Sequence, residues 1–105
     1  MSGELIRVAD TSDIAEGEAR VFNVEDISIV ICNVNGIYHA IENVCSHDEA
    51  PLGEGELFGN EIECPRHGAR FDVATGEVTR IPALAPIETF PVHIKDDTIY
   101  IEYEE

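Results

Sequence analysis

The chain has 105 residues, with 22 Asp and Glu against 6 Lys and Arg, and a formal net charge of −16. That length supports one hydrophobic core rather than two, and an apolar share of 44% is too high for a disordered acidic segment. The charge excludes nucleic acid as a partner, because a phosphate backbone would be repelled; it suits a basic protein partner or plain solubility.

Three cysteines, an odd number, do not make a disulfide framework. The opening residues lack the basic and apolar regions of a signal peptide, and no apolar run reaches membrane-spanning length. The expected location is cytoplasmic, where thiols stay reduced, with no membrane association.

In chain order, Leu5-Ile6-Arg7-Val8 reads as an opening strand. Asp10 to Ile14 carries helix-capping residues, yet Gly17 follows so soon that at most one helical turn fits. Glu18 to Val24 is a second strand, closed by a turn at Glu25-Asp26. From Ile27 to Glu42, two β-rich runs flank Asn35-Gly36, which predicts a two-residue type I′ hairpin. That register pairs Val34 with Ile37, Cys32 with His39 and Val30 with Ile41, all on one face assigned to the core. Cys32 and His39 are thereby expected to be packed residues rather than ligands.

Two further hairpins are expected around Gly59-Asn60 and Ala74-Thr75-Gly76. The segment Ile81 to Pro86 is interrupted by prolines and cannot be a central strand. Phe90 to Ile94 and Thr98 to Tyr103 close the chain as strands joined at Lys95-Asp96-Asp97, with His93 facing solvent. Many short strands with turn residues between them indicate an all-β antiparallel sandwich or barrel.

Chemistry concentrates between Cys45 and Phe71. Cys45-Ser46-His47 and Cys64-Pro65-Arg66-His67 each offer one thiolate and one imidazole. These soft and borderline ligands suit either an iron–sulfur cluster or a closed tetrahedral zinc site. Zinc fingers place their His pair on a helix, whereas here no ligand falls on a helical pattern. The surrounding Gly and Pro instead suit loops that wrap a larger object.

With its Thr75-Gly76 turn, its Ile81 to Pro86 segment and its final Phe90-Pro91-Val92 strand, the stretch from Asn43 to Asp72 resembles the Rieske [2Fe–2S] family. The chain is most similar to the stand-alone ferredoxins of multicomponent aromatic-ring dioxygenases. The resemblance implies a Rieske-type β-sandwich or barrel in a single domain, 1–105, with an inserted cluster-binding subdomain of small hairpins and loops at about 43–86. It also implies one [2Fe–2S] cluster held by Cys45 and Cys64 on the inner iron and by His47 and His67 on the outer iron. Ile81 to Pro86 would cap the cluster from a third side.

In that family the mixed ligand set matters electrostatically. Two ferric ions contribute six positive charges, which two sulfides and two thiolates cancel, so the oxidised centre is formally neutral. An added electron is then easier to accept than in an all-Cys cluster. High-potential members add a Cys pair that staples the arms, and a Ser and a Tyr that donate hydrogen bonds to the cluster sulfurs. The corresponding positions here are Ala50, Arg66, Ala69 and Phe71. Without those donors the potential should fall at the low end of the range, nearer about −150 mV than +300 mV.

The implied function is one-electron transfer, with no catalytic residue of its own, from a flavin-dependent ferredoxin reductase to a terminal oxygenase. Both would dock at the cluster tip. A rim of Arg66, Arg70 and Arg80 with Asp48, Glu49, Glu54 and Glu56 is expected there, around apolar Leu52, Pro65 and Pro82; alternatively these Arg merely offset neighbouring carboxylates. Other uses of the same chemistry are the small Rieske subunit of an assimilatory nitrite reductase and a ferredoxin of iron–sulfur assembly. A zinc-stabilised interaction module is the alternative of a different class.

Overall fold

The computed structural model describes residues 4–44, 51–65, 68–81 and 85–103. Eleven strands among these residues form three antiparallel sheets. An outer sheet has the order β1 (Glu4–Asp10), β11 (Thr98–Tyr103), β10 (Val92–Lys95). A middle sheet has the order β2 (Ala19–Val24), β3 (Ile27–Val34), β4 (Ile37–Glu42), β9 (Thr89–Phe90). A small sheet contains β5 (Leu57–Phe58), β6 (Glu61–Glu63), β7 (Arg70–Asp72) and β8 (Val78–Arg80) in sequence order. The expected helical turn is one turn of 3-10 helix at Thr11–Asp13.

The β3–β4 hairpin forms as its sequence directs. Asn35 and Gly36 have φ of 54° and 86°, the left-handed pair a type I′ turn requires. Val34 pairs with Ile37, Cys32 with His39 and Val30 with Ile41, the expected register. The shared face is less uniform than expected. Val30, Cys32, Val34 and Ile41 are buried, His39 is half-buried, and Ile37 is 62% exposed at the hairpin tip.

The opposite face of β3 is buried too. Ile29 and Ile31 pack with Ile14, Val24, Ala40, Ile99 and Ile101 against the outer sheet. Val30, Cys32 and Ile41 pack with Leu52, Ile62, Cys64, Ala69 and Phe71 against the small sheet. The middle sheet is therefore sandwiched, and each fully buried Ile in it contributes about 1.5–3 kcal/mol. The run Ile29-Val30-Ile31-Cys32 carries this signal, since burial on both faces removes the usual polar alternation.

Asn33 is the one buried polar residue among those described, 3% exposed. Its Nδ2 donates to Ile14 O at 2.9 Å, and its Oδ1 accepts from Gly36 N at 2.9 Å. It ties the hairpin turn to the segment before β2.

The closing strand expected over Phe90 to Ile94 is divided at Pro91. β9 pairs with β4 in the middle sheet, while β10 pairs with β11 in the outer sheet. Pro91 has no N–H to continue a ladder; its carbonyl accepts from Glu102 N at 3.0 Å as the chain changes sheets.

Because β9 lies beside β4, residues 43–88 leave the middle sheet and return to the same place. Ala40 pairs with Phe90 and Ile41 with Thr89, and Glu42 N donates to Glu88 O at 3.0 Å. The small sheet and the candidate site occupy this excursion.

Candidate metal centre

The first arm hangs from a base closed by Asn43. Its backbone N and its Nδ2 donate to Ser28 O and Ser28 Oγ, at 3.1 and 3.0 Å. Its Oδ1 accepts from Gly53 N at 2.8 Å, which closes the loop that carries Cys45 and His47. Both of those residues lie outside the described residues. The returning chain makes a 3-10 turn at Leu52–Glu54, with Gly55 N donating to Leu52 O at 2.9 Å.

The second arm is the loop between β6 and β7. Cys64 N donates to Ala69 O at 2.7 Å and Gly68 N to Cys64 O at 3.0 Å. Gly68 has φ of 76°, a conformation that costs a side-chain-bearing residue about 1–2 kcal/mol. Cys64 is 1% exposed and belongs to the core beside Phe71, while Pro65 turns out to solvent. His67 lies outside the described residues.

The two arms are pressed together at their bases. A Cβ built on Gly55 would lie 1.9 Å from Glu63 O, so only glycine allows this approach of the first arm's return to the strand that ends at Cys64. On a third side, Ile81 is 75% exposed where the 81–86 segment begins. That segment is re-anchored by Ile87, which is buried and whose N donates to Gly76 O at 2.9 Å. Residues 82–84, in the expected capping loop, lie outside the described residues.

The apolar docking rim expected around Leu52 needs correction. Leu52 is fully buried in the core with Cys64 and Phe71; of the other two apolar residues expected there, Pro65 is exposed and Pro82 lies outside the described residues. Arg70 faces its own sheet. Its Nε donates to Glu63 Oε2 at 3.1 Å, its Nη1 lies 3.5 Å from Glu61 Oε1, and its guanidinium stacks 4.2 Å from the Phe58 ring centroid. Arg80 Nη1 approaches Glu63 Oε2 at 3.7 Å. For Arg70 and Arg80 the structure thus favours offset of neighbouring carboxylates.

The residues set aside as non-ligands sit where that reading puts them. Cys32 is fully buried, and burial pushes its thiol up to about 12. Burial also holds the His39 imidazole below its usual pKa, with Asp72 drawing it partly back. His93 Nε2 meets Glu102 Oε2 at 2.7 Å on the exposed side of β10.

The arrangement fits an iron–sulfur centre. Cys64 stands at the boundary between an apolar core and a tight loop, where one side of a metal site would be dry and the other open. The return of the first arm, tied to Asn43 at Gly53, meets the strand that ends at Cys64 through the close approach of Gly55 to Glu63. Three antiparallel sheets, with Cys64 buried at the base of a tight loop, define the class: a small all-β protein whose Cys-x-His and Cys-x-x-His sequence segments suit an iron–sulfur centre.

Residues 4–91 match the Rieske [2Fe-2S] domain. The ferredoxin component of biphenyl 2,3-dioxygenase from Rhodococcus jostii (strain RHA1) is 35% identical over 100 residues, covering 95% of this chain and 94% of the relative. The solved ferredoxin of Sphingomonas yanoikuyae B1 superposes with a TM-score of 0.91 at 33% identity, covering 96% of this chain and all of that one. A chain from the complex of reduced oxygenase and oxidised ferredoxin in carbazole 1,9a-dioxygenase superposes with a TM-score of 0.88 at 34% identity, over 93% of this chain and 92% of that one. The chain belongs to the Rieske [2Fe–2S] family, whose cofactor is one [2Fe–2S] cluster. Among the described residues, no helix is long and apolar enough to cross a membrane.

Proposed function

We propose that this chain is a low-potential one-electron carrier of the cytoplasm, taking electrons from a flavin-dependent reductase and delivering them to a terminal oxygenase. When bound, the cluster supplies the group that accepts and releases the electron. Cys45 and Cys64 would hold the inner iron, and His47 and His67 the outer one, within a cluster-binding subdomain at about 43–86 of a single domain.

The observation that carries this reading is the junction at Gly55 and Glu63, which holds the bases of both arms together at one end of the small sheet. Each residue there has a definable task. Asn43 fixes the first arm's base, Leu52 excludes water beneath the arms, and the Cys64–Ala69 bond sets the second arm's turn. Ala69 and Phe71, both fully buried, bring no hydroxyl to the cluster sulfurs, which supports a low potential. The matching ferredoxin solved in a complex with its oxygenase supports delivery to such a partner.

The test is electron paramagnetic resonance of the reduced protein together with elemental analysis. Two irons per chain and a mixed His/Cys signature are expected, with the signature lost in His47→Cys and His67→Cys. A colourless protein holding zinc and no iron would overturn the assignment.

A further inference from the structure

The outer face of the small sheet carries three directly opposed charged pairs, two of which would, by themselves, push its strands apart. Arg70 stands opposite Arg80, and Glu61 opposite Asp72. Like charges facing across strands are destabilising. The third pair, Glu63 opposite Arg70, is of opposite sign, and the observed contacts spread from it. Arg70 reaches Glu63 and Glu61 on β6 and Phe58 on β5, and it meets Arg80 of β8 through the shared Oε2 of Glu63.

Most surface ion pairs contribute little. This one differs in being a network in which the Arg70 side chain is only 24% exposed. The strands it joins are two or three residues long, too short to be stable as isolated hairpins. On their inner side, Ile62 pairs with Phe71, and non-directional apolar contact holds this pair without specifying which residue faces which. A slip of one residue would turn Cys64 out of the core. A guanidinium fork bound to two carboxylates on one strand is directional and resists such a slip.

We propose that Arg70 is the positioning residue of the second cluster arm, locking β6 and β7 in the register that places Cys64. The proposal rests on the reading that this arm holds a cluster ligand pair. It assigns Arg70 to intramolecular positioning rather than to partner docking.

The test compares holoprotein variants R70M, R70K, R80M and I99A. Ile99 is buried in the other core, so I99A lowers global stability without touching the small sheet. Cluster loss is followed by visible absorbance in the presence of an iron chelator, and ligand geometry by the resonance line shape of the reduced form. R70M should lose its cluster about tenfold faster than wild type, a step of about 1.4 kcal/mol, and should show broadened lines. R70K should recover part of both, because it restores charge without the fork. R80M and I99A should stay within about twofold.

R70M within twofold of wild type, or I99A matching R70M, would overturn the proposal. If R70M accumulates no holoprotein, E63Q is measured in its place, with the same expectations and the same refuting results. Amide exchange at Ile62 and Phe71 in the chain as purified keeps the two readings apart. Faster exchange in R70M supports the register lock even if wild type proves to carry no cluster, and unchanged exchange refutes it.

Discussion

Replacing Gly55 with alanine tests the junction that brings the two arms together. The new Cβ would lie 1.9 Å from Glu63 O, 3.0 Å from Glu63 C and 3.1 Å from Leu52 O. All three are backbone atoms, so no side-chain rotation relieves the clash. Restoring even a 3.0 Å contact to the nearest atom requires a displacement of about 1.1 Å. That movement would strain two hydrogen bonds, Gly55 N to Leu52 O at 2.9 Å and Glu63 N to Glu56 O at 3.0 Å. Overpacking of this kind costs about 1–3 kcal/mol, and loss of one hydrogen bond adds about 1 kcal/mol. Glu63 directly precedes Cys64, and a shift of about 1 Å far exceeds the tolerance of about 0.2 Å for a metal–ligand distance. Urea unfolding should therefore show a loss of about 2–4 kcal/mol, with iron per chain well below that of wild type. Gly17→Ala is the control. At φ of 83° with nothing within 4 Å, it should cost about 1–2 kcal/mol from backbone strain alone and leave the iron content unchanged. A Gly55→Ala protein with full iron and stability within about 0.5 kcal/mol of wild type would refute the packing described here.

Three further outcomes are expected. Asn33→Ala leaves Ile14 O and Gly36 N without their side-chain partner, and should cost about 2–3 kcal/mol, seen by calorimetry as a fall of more than about 8 °C. Folding depresses the His39 pKa, so the unfolded chain binds its proton more readily. The stability gained from keeping this ring neutral is full above its ordinary value of 6.5 and declines as pH falls below it. Against wild type, His39→Gln should show a flatter loss of stability between about pH 7 and 5, and identical slopes would count against that assignment. Wild type should titrate near about −150 mV, and Ala69→Ser should raise this by about 60 mV if its hydroxyl donates a bond of about 1.4 kcal/mol to the reduced centre. An unchanged potential would mean that position 69 does not face the cluster.

The turn chemistry was largely legible in the sequence. Asn35-Gly36, Gly59-Asn60 and Ala74-Thr75-Gly76 each join the strands they were expected to join, and the turn expected at Lys95-Asp96-Asp97 narrows to Asp96-Asp97, with Lys95 paired to Thr98 in the ladder. Local backbone preference decides such positions without help from the rest of the chain. Layering was less legible, because the side on which Ile29 and Ile31 are buried depends on the outer sheet, whose strands lie at both ends of the sequence. The division of the closing strand follows from Pro91, whose missing N–H was visible but whose change of sheet was not. At the site, the spacing of Cys45, His47, Cys64 and His67 pointed to the chemistry, and of these the structure places Cys64. Leu52 was misjudged as a surface residue because nothing in its Pro-Leu-Gly context shows that it turns inward. The role of Arg70 depends on cross-strand neighbours from three different hairpin arms, which spacing alone does not reveal.

The return of residues 43–88 to their point of departure has a consequence for how such a chain can vary. Glu42 and Glu88 are already joined by the frame, at 3.0 Å, so the intervening segment behaves as a closed ring whose entropy changes only with the logarithm of its length. Doubling such a ring costs about 0.6 kcal/mol, a small part of the 5–15 kcal/mol that holds a typical domain folded. Loops at the cluster end can therefore lengthen, shorten or change sequence to suit a new redox partner while the two supporting sheets remain as they are.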